Sequence, residues 1–395
     1  MTKLANQRYD VCIHGAGIVG RTLALLLAKD GLRVALVDKS PQHSSDKKDV
    51  RAYALNVASK TLLETLRVWP EASQATPVLG MQVHGDTSGA VNFHSSEQGA
   101  QALAWIVDVP SLEANLAQAI QYQPMVDVIG AIDDAKIQAD LTVVCEGKHS
   151  ATREQLAVEF EVTPYHQHAV AARLSTSLSH AGIAKQWFKN GEILAFLPLS
   201  QGGKTASHEN LEQTDGNYVA LVWSVNPAQA QALLALDEPA FALAVGEASC
   251  DDLGEMQLCS ERVAWPLQLS SARYWVGQHA SLGAWVLAGD AAHTVHPLSG
   301  QGLNLGLGDV NELAKVLRQR ESWRRLSDLK LLKRYERVRK WEFLTVSSVT
   351  DGLQQLFARP ESPVEMVRNW GMQRFEKSGL VKRWIAKKSH GLVRI

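Results

Sequence analysis

The stretch Tyr9-Asp10-Val11-Cys12-Ile13-His14-Gly15-Ala16-Gly17-Ile18-Val19-Gly20 decides the fold. Tyr9–His14 is a short β-prone run that stops at a glycine-rich turn of the form GxGxxG. Leu23, Leu25, Leu26 and Leu27 then predict an apolar helix closing near Asp30-Gly31, and Arg33–Val37 reads as a second buried strand that ends at Asp38. Strand, glycine turn, helix and strand in this order make a βαβ unit of the dinucleotide-binding type. Gly15 permits the tight turn, Gly17 lets a pyrophosphate approach the backbone, and Gly20 lets helix and strand pack closely. The helix N-terminus supplies oriented N–H donors and a favourable dipole for phosphates. Asp38 stands where a carboxylate accepts bonds from ribose hydroxyls. His14 occupies a strand end that is normally small or aliphatic, and is expected to be packed rather than catalytic.

A second block lies far along the chain. Ala284–Leu287 predicts a short strand, followed by Ala288-Gly289-Asp290-Ala291-Ala292-His293 and then His296-Pro297-Leu298-Ser299-Gly300-Gln301-Gly302-Leu303-Asn304. An amphipathic helix continues through Leu305, Leu307, Val310, Leu313 and Leu317. A nicotinamide dehydrogenase has no need of this element, whereas a flavin does, because its ribityl chain must be held and its ring charge managed. Asp290 is placed to accept from a ribityl hydroxyl, and Gly300 and Gly302 let the backbone approach the isoalloxazine edge. The N-terminus of the following helix would point its dipole at the side where a reduced flavin carries charge.

The order of elements now resembles the class A flavoprotein aromatic hydroxylases, and within them the ubiquinone-biosynthesis hydroxylases, over nearly the whole chain. That family's late pattern is matched by Gly289, Asp290, His293, Pro297, Gly300, Gln301, Gly302, Asn304, Gly306 and Asp309. The ubiquinone branch's Arg followed by an AL…S helix is matched by Arg51, Ala54-Leu55 and Ser59. Leu197-Pro198-Leu199, Val222-Trp223, Pro266-Leu267 and the Tyr335…Arg339 pair are also similar. The resemblance implies FAD as cofactor, NAD(P)H as co-substrate, and hydroxylation of an aromatic, polyprenylated phenol or quinol by O2 through oxygen added at the flavin C4a. The cofactor-binding residues it implies are Gly15, Gly17, Ile18, Val19, Gly20, Asp38, Lys39, Arg51 and Glu146 in the first half. In the second half they are Gly289, Asp290, Pro297, Gly300, Gln301, Gly302, Leu303 and Asn304. Pro297 would lie beside the flavin, and Arg51 would contact the cofactor as its ring moves. No catalytic base is implied. An FAD-dependent reductase or dehydrogenase of the same fold, and a flavin-bound accessory subunit of a biosynthetic complex with little turnover, stay open as alternatives.

One departure stands out. The family's middle motif reads ADG-xx-S-xxR, whereas this chain has Cys145-Glu146-Gly147-Lys148-His149-Ser150-Ala151-Thr152-Arg153. Glu146 keeps the charge but carries one more methylene, moving the carboxylate by about 1.5 Å. That spacing is compatible with FAD and puts the interaction with a pyridine nucleotide in question.

The expected fold class is α/β (α+β overall). A Rossmann-type FAD-binding domain, residues 1–75, 99–168 and 272–355, is interleaved with an antiparallel-sheet substrate domain, residues 76–98 and 169–271. C-terminal helices and a basic helical tail, 356–395, complete it. Alternation over Met81–Val83, Ala169–Leu174, Ile193–Leu197, Tyr218–Val225 and Arg262–Leu267 predicts the sheet, with one helix between Pro227 and Glu247 and a hairpin loop over Ser200–Gly216. Trp187, Phe188, Phe196, Trp223 and Trp265 are candidates to line a substrate cavity. The 395 residues are 46% hydrophobic with a net charge of -1, which suits a large core and offers no global attraction to nucleic acid. Cys12, Cys145, Cys250 and Cys259 have no metal-ligand spacing, and His293 and His296 have no third ligand, so no metal site is expected. With no apolar signal or spanning segment, the chain is expected in the cytoplasm, at most peripheral to a membrane. From Arg368 to Ile395, eight bases oppose the single acid Glu376, with Leu380, Val381, Trp384 and Ile385 between them. Contact with an anionic membrane or a partner complex, and packing on the body, are both consistent with that pattern.

Overall fold

The computed structural model describes residues 8–39, 49–85, 90–130, 137–200, 217–295 and 300–358. The expected hairpin loop beyond Ser200, Pro297, and the basic tail from 359 onward lie outside the described residues. Of these residues, six strands form the first sheet: β1 (Arg8–His14), β2 (Val34–Asp38), β8 (Val126–Gly130), β9 (Gln138–Val144), β16 (Val276–His279) and β17 (Gly283–Leu287). Their order is β16-β17-β9-β1-β2-β8, and every pair is parallel except the edge pair β16–β17. Parallel strands are covered on both faces, so their side chains must be apolar in both directions. Accordingly Val34 and Leu36 point into one core cluster, and Ala35 and Val37 into another. Helices α1 (Ile18–Lys29), α3 (Val109–Gln121), α7 (Gln301–Arg318) and α8 (Leu329–Ala358) belong to this part, with α1 packed on α3 and α7, and α7 on α8. In α7 the buried residues Leu305, Leu307, Val310, Leu313 and Leu317 are those the sequence periodicity selects.

The second sheet contains β5 (Gly80–His84), β6 (Ala90–His94), β10 (Phe160–Thr176), β11 (Ile183–Lys189) and β12 (Glu192–Leu199). It is completed by β13 (Tyr218–Val225), β14 (Met256–Leu258), β15 (Val263–Ala272) and β18 (His293–Thr294). The order is β18-β15-β10-β13-β12-β11-β5-β6, with β14 paired to β10. Each alternating run read from the sequence falls on one of these strands, but the sheet is not wholly antiparallel. β5 runs parallel to β11, because the chain leaves this sheet after β6 and re-enters it with β10, so no hairpin joins β5 to β11 and forces the pair to be antiparallel. β10 also runs unbroken through residues 168 and 169, with its register irregularity between Pro164 and His168.

The single helix expected between Pro227 and Glu247 is two helices, α5 (Pro227–Ala235) and α6 (Glu238–Ala248). Pro239 cannot continue α5, since its ring would meet the carbonyl four residues back, at Ala235. Asp237 restarts the helix by accepting the Ala240 N–H. Both helices cover one face of the sheet, where Phe241 and Val245 pack with Val170, Leu194 and Leu221. A small third sheet, β3 (Ala52–Leu55), β7 (Ala104–Asp108) and β4 (Ala75–Val78), lies between the two large ones. Ala52 and Ala54 of β3 pack with Ala184, Leu197 and Ala220 of the second sheet, whereas Tyr53 and Leu55 face the core of the first. Two short helices, α2 (Val57–Thr65) and α4 (Ala151–Gln155), complete the set.

Candidate functional site

The first glycine turn is built by mutual exclusion. Gly15 has φ of 106°, and a Cβ there would strike the Cys145 backbone, 2.6 Å from its carbonyl carbon. A Cβ on Gly20 would overlap the Gly15 carbonyl oxygen. These two positions close strand, turn and helix upon each other. Gly17, the N-cap of α1, is different, because nothing lies within 4 Å of where its Cβ would be. Gly147 and Gly302 share that openness. The turns at the ends of β1 and β9 and the start of α7 therefore each present a bare backbone to empty space, which is the form a pyrophosphate and a flavin edge require. Ile18 is buried at the start of α1, and Val19 fills the space between Gly289 and Gly306, joining the first turn to the second block.

Asp38 ends β2 with Arg21 of α1 3.8 Å away. Lys39 pairs with Glu146 at 3.3 Å. The Glu146 carboxylate turns inward: it accepts from the Ser150 hydroxyl (2.7 Å), the Thr152 N–H (2.9 Å) and the Thr152 hydroxyl (2.9 Å). Burial opposes its ionisation, but the Thr152 N–H, the two hydroxyls and Lys39 prevail and hold its pKa below the usual carboxylate range. His14 is buried as expected, and it is also a neighbour of this carboxylate, with Nδ1 3.3 Å from the Thr152 hydroxyl and 3.9 Å from Glu146. The extra methylene of Glu146 is thus accommodated by the N-terminal turn of α4.

In the second block Gly289 and Asp290 follow β17 directly. Asp290 is open to solvent, yet protein crowds it closely enough that desolvation pushes its pKa up. His293, Lys148 and Arg51 pull the other way. Gly300 caps α7 in the left-handed conformation (φ 60°), and a Cβ there would stand 3.1 Å from that of Ala54. Asn304 clamps this corner: its carbonyl accepts the Asn56 N–H (3.0 Å) and the Ser59 hydroxyl (2.7 Å), and its amide donates to the Ala54 and Gly300 carbonyls (2.8 and 3.3 Å). Gln301 and Leu303 are half-buried on the same first turn of α7.

Arg51 bonds Asp49 through its Nε, at 2.9 Å, and its pKa is raised chiefly by that contact. Tyr53, not singled out by the sequence, lies within electrostatic reach of Arg51 and Asp290; burial raises its phenol pKa, with Arg51 opposing and Asp290 acting in the same direction. Arg173 fixes this segment from the second sheet, bonding Asp108 and the Val50 and Arg51 carbonyls. Lys148 and Thr152, inside the middle motif, and Arg173, which reaches the segment through a long-range contact, were likewise not singled out.

Three of the five aromatic candidates do not line a cavity on this side. Trp187, Phe196 and Trp223 pack in the core beneath α5 and α6. Phe188 lies on the opposite face with Ile193 and Val83. By strand alternation and register, that face also carries Gln186, Ala195, Val222 and Ala171, continuous with the Ala184–Leu197–Ala220 row that meets β3. Gln186 is buried there, and its Nε2 has no hydrogen-bond partner among the described residues. Among the described residues no cluster of His, Cys, Asp or Glu is arranged to hold a metal ion.

The family described as FAD binding domain matches residues 8–129 and 127–342. The ubiquinone hydroxylase UbiL of Rhodospirillum rubrum is 27% identical, covering 100% of this chain and 92% of that protein. The 3-demethoxyubiquinol 3-hydroxylase of Escherichia coli is 27% identical over 98% of this chain and 100% of its own length. Among solved structures, p-nitrophenol 4-monooxygenase PnpA from Pseudomonas putida superposes with a TM-score of 0.74 at 16% identity, covering 98% of this chain and 99% of that one. PqsL from Pseudomonas aeruginosa, in complex with 2-aminobenzoylacetate, gives 0.71 at 20% identity, covering 94% and 99%. At these identities the structural likeness speaks for the fold.

Proposed function

This chain belongs to the FAD-binding-domain family, and we propose that it is an FAD-dependent monooxygenase that hydroxylates an aromatic ring. Its substrate class is a polyprenylated phenol or quinol of ubiquinone biosynthesis, and NAD(P)H is the reductant. The observation that carries the reading is the corner at Gly300. On one side, in this reading, the bare backbones at Gly17 and Gly302 and the carboxylates Asp38 and Asp290 would line the space for a flavin dinucleotide. On the other, Ala54 adjoins an apolar sheet face suited to a ring and its prenyl chain. FAD, when bound, supplies redox chemistry and oxygen activation that no side chain here could provide.

The chain's own residues then have the following roles. Gly15, Gly17, Ile18, Val19 and Gly20 present α1 to the pyrophosphate, and Asp38 accepts from a ribose hydroxyl. Lys39 balances Glu146, which holds the start of α4 in place. Asp290 accepts from the ribityl chain, Gly289 and Gly300 set the turns around it, and Gln301, Gly302, Leu303 and Asn304 bring the α7 N-terminus to the ring. Arg51, held by Asp49, would contact the cofactor. The sheet face excludes water from the ring, and Gln186 is the donor available to a phenolic oxygen. The Thr152 N–H, the Ser150 and Thr152 hydroxyls and Lys39 keep the Glu146 carboxylate ionised and engaged, which favours its acting as a structural strut.

The test is NAD(P)H oxidation by FAD-loaded protein, with product mass recorded for a short-chain prenylated phenol. A gain of one oxygen coupled to NAD(P)H loss is expected. Flavin reduction without oxygen insertion would replace this reading with a reductase, and no reduction at all would replace it with an accessory role.

A further inference from the structure

We propose that the outer face of α8, with the loop preceding it, docks on an anionic phospholipid bilayer. α8 buries Leu331, Leu332, Tyr335, Arg339 and Phe343 against the body. Its opposite side leaves Val338, Trp341 and Leu344, spaced three apart, at 45%, 62% and 54% exposure. Trp323, in the loop before α8, is 72% exposed. Arg324 lies over its ring at 4.3 Å, and Arg324 and Arg334 share Glu321, so this second tryptophan stands beside the helix. One turn apart on the same side, Lys330, Lys333, Arg334 and Arg337 are all exposed. The nearby acids are already matched within the protein: Glu321 as above, Glu336 with Lys340, and Glu342 with Arg339.

The composition of the patch selects its partner. Lysine is depleted from protein–protein interfaces, whereas tryptophan rings sit at the water–hydrocarbon boundary and Lys and Arg stems lie along it with their charges outward. Past Ala358 the sequence continues with the bases of Arg368–Ile395, so positive charge accumulates toward the same end of the chain. No described helix is long and apolar enough to cross a membrane, which makes this a surface contact. The proposal does not depend on the enzymatic reading, and each is tested by a separate measurement.

The experiment is co-sedimentation of the full-length, FAD-loaded chain with phosphatidylcholine vesicles containing about one-third phosphatidylglycerol, at low and high salt. Each base near such a surface contributes about fivefold to partitioning. Binding is expected to fall about tenfold or more on neutral vesicles. Trp323→Glu with Trp341→Glu is expected to weaken binding by about the same factor. Leu243→Glu, an equally exposed apolar site on α6, should bind as the parent does. Flavin content and far-UV circular dichroism report that each variant is folded. The proposal is overturned if the double variant binds like the parent, or if the parent ignores anionic vesicles. It is also overturned if binding is lost only on deleting residues 359–395, or if Trp341 instead supports a dimer that does not bind lipid.

Discussion

Arg339 of α8 donates its Nε–H to Asp309 of α7 at 2.8 Å, with both side chains buried. The second Asp309 oxygen accepts the Gly289 N–H at 2.8 Å and meets His293 Nε2 at 2.7 Å. Arg339 also donates to the Leu305 carbonyl (3.0 Å). The Gly289–Asp290 turn is therefore held by a cation from a helix outside both glycine blocks. Burial opposes ionisation of Asp309, but His293 and Arg339 outweigh it and keep the carboxyl below its usual range.

Removing Arg339 leaves the buried Asp309 carboxylate with only His293 and the Gly289 N–H to offset its charge. Arg339→Met is expected to cost about 3–5 kcal/mol and to release flavin. Urea denaturation and flavin content measure both, and an unchanged midpoint would refute the role given to Arg339.

Gly17 and Gly20 separate cofactor space from packing space. Gly17→Ala has φ of -77° and no neighbour to strike, so the fold should keep its stability to about 0.5 kcal/mol. FAD affinity should fall at least about tenfold, or about 1.4 kcal/mol. Gly20→Ala overlaps the Gly15 carbonyl and should not give folded protein. Fluorescence titration of apoprotein with FAD distinguishes them; tight binding by the Gly17 variant would remove the pyrophosphate from that site.

Asn304→Ala strands the Asn56 N–H and the Ala54 carbonyl, at a cost of about 1–3 kcal/mol. Ser59→Ala removes a single bond and should cost about 0.5–1.5 kcal/mol. Equal losses in thermal denaturation would contradict the clamp.

Glu146 predicts a pH dependence. Its folded pKa is depressed, so its contribution is fully present above the unfolded value of about 4.3 and is lost as pH falls through the lower folded value. Glu146→Gln should thus be less stable than the parent at pH 7, with the difference shrinking below about pH 4.3. Parallel urea titrations from neutral to acid pH check this, and a constant difference would exclude it.

Gln186→Leu replaces a buried amide whose Nε2 has no hydrogen-bond partner among the described residues, and should leave stability unchanged or raise it. If Gln186 Nε2 positions the phenolic oxygen, KM should rise for the phenol while FAD affinity stays constant. A KM equal to the parent's would assign Gln186 to packing alone.

Much of this protein follows from local sequence. Residues 9–38 specify a βαβ unit because strand, turn and helix each depend on neighbours a few positions away, and the glycine spacing records where backbone must approach backbone. The α7 stripe and the strands of the second sheet were legible from periodicity in the same way. Contacts between distant segments were not. Nothing near Tyr53 marks it as a neighbour of Asp290, and nothing near Trp187 says which face of β11 meets helices and which meets β3. The parallel pairing of β5 with β11 was equally hidden, because alternation fixes a strand's faces and leaves its direction open. The inward turn of Glu146 depends on where α4 begins, and the hold on Gly289 depends on where α8 crosses α7. Both are set by packing summed over the whole core, which no window of the sequence contains.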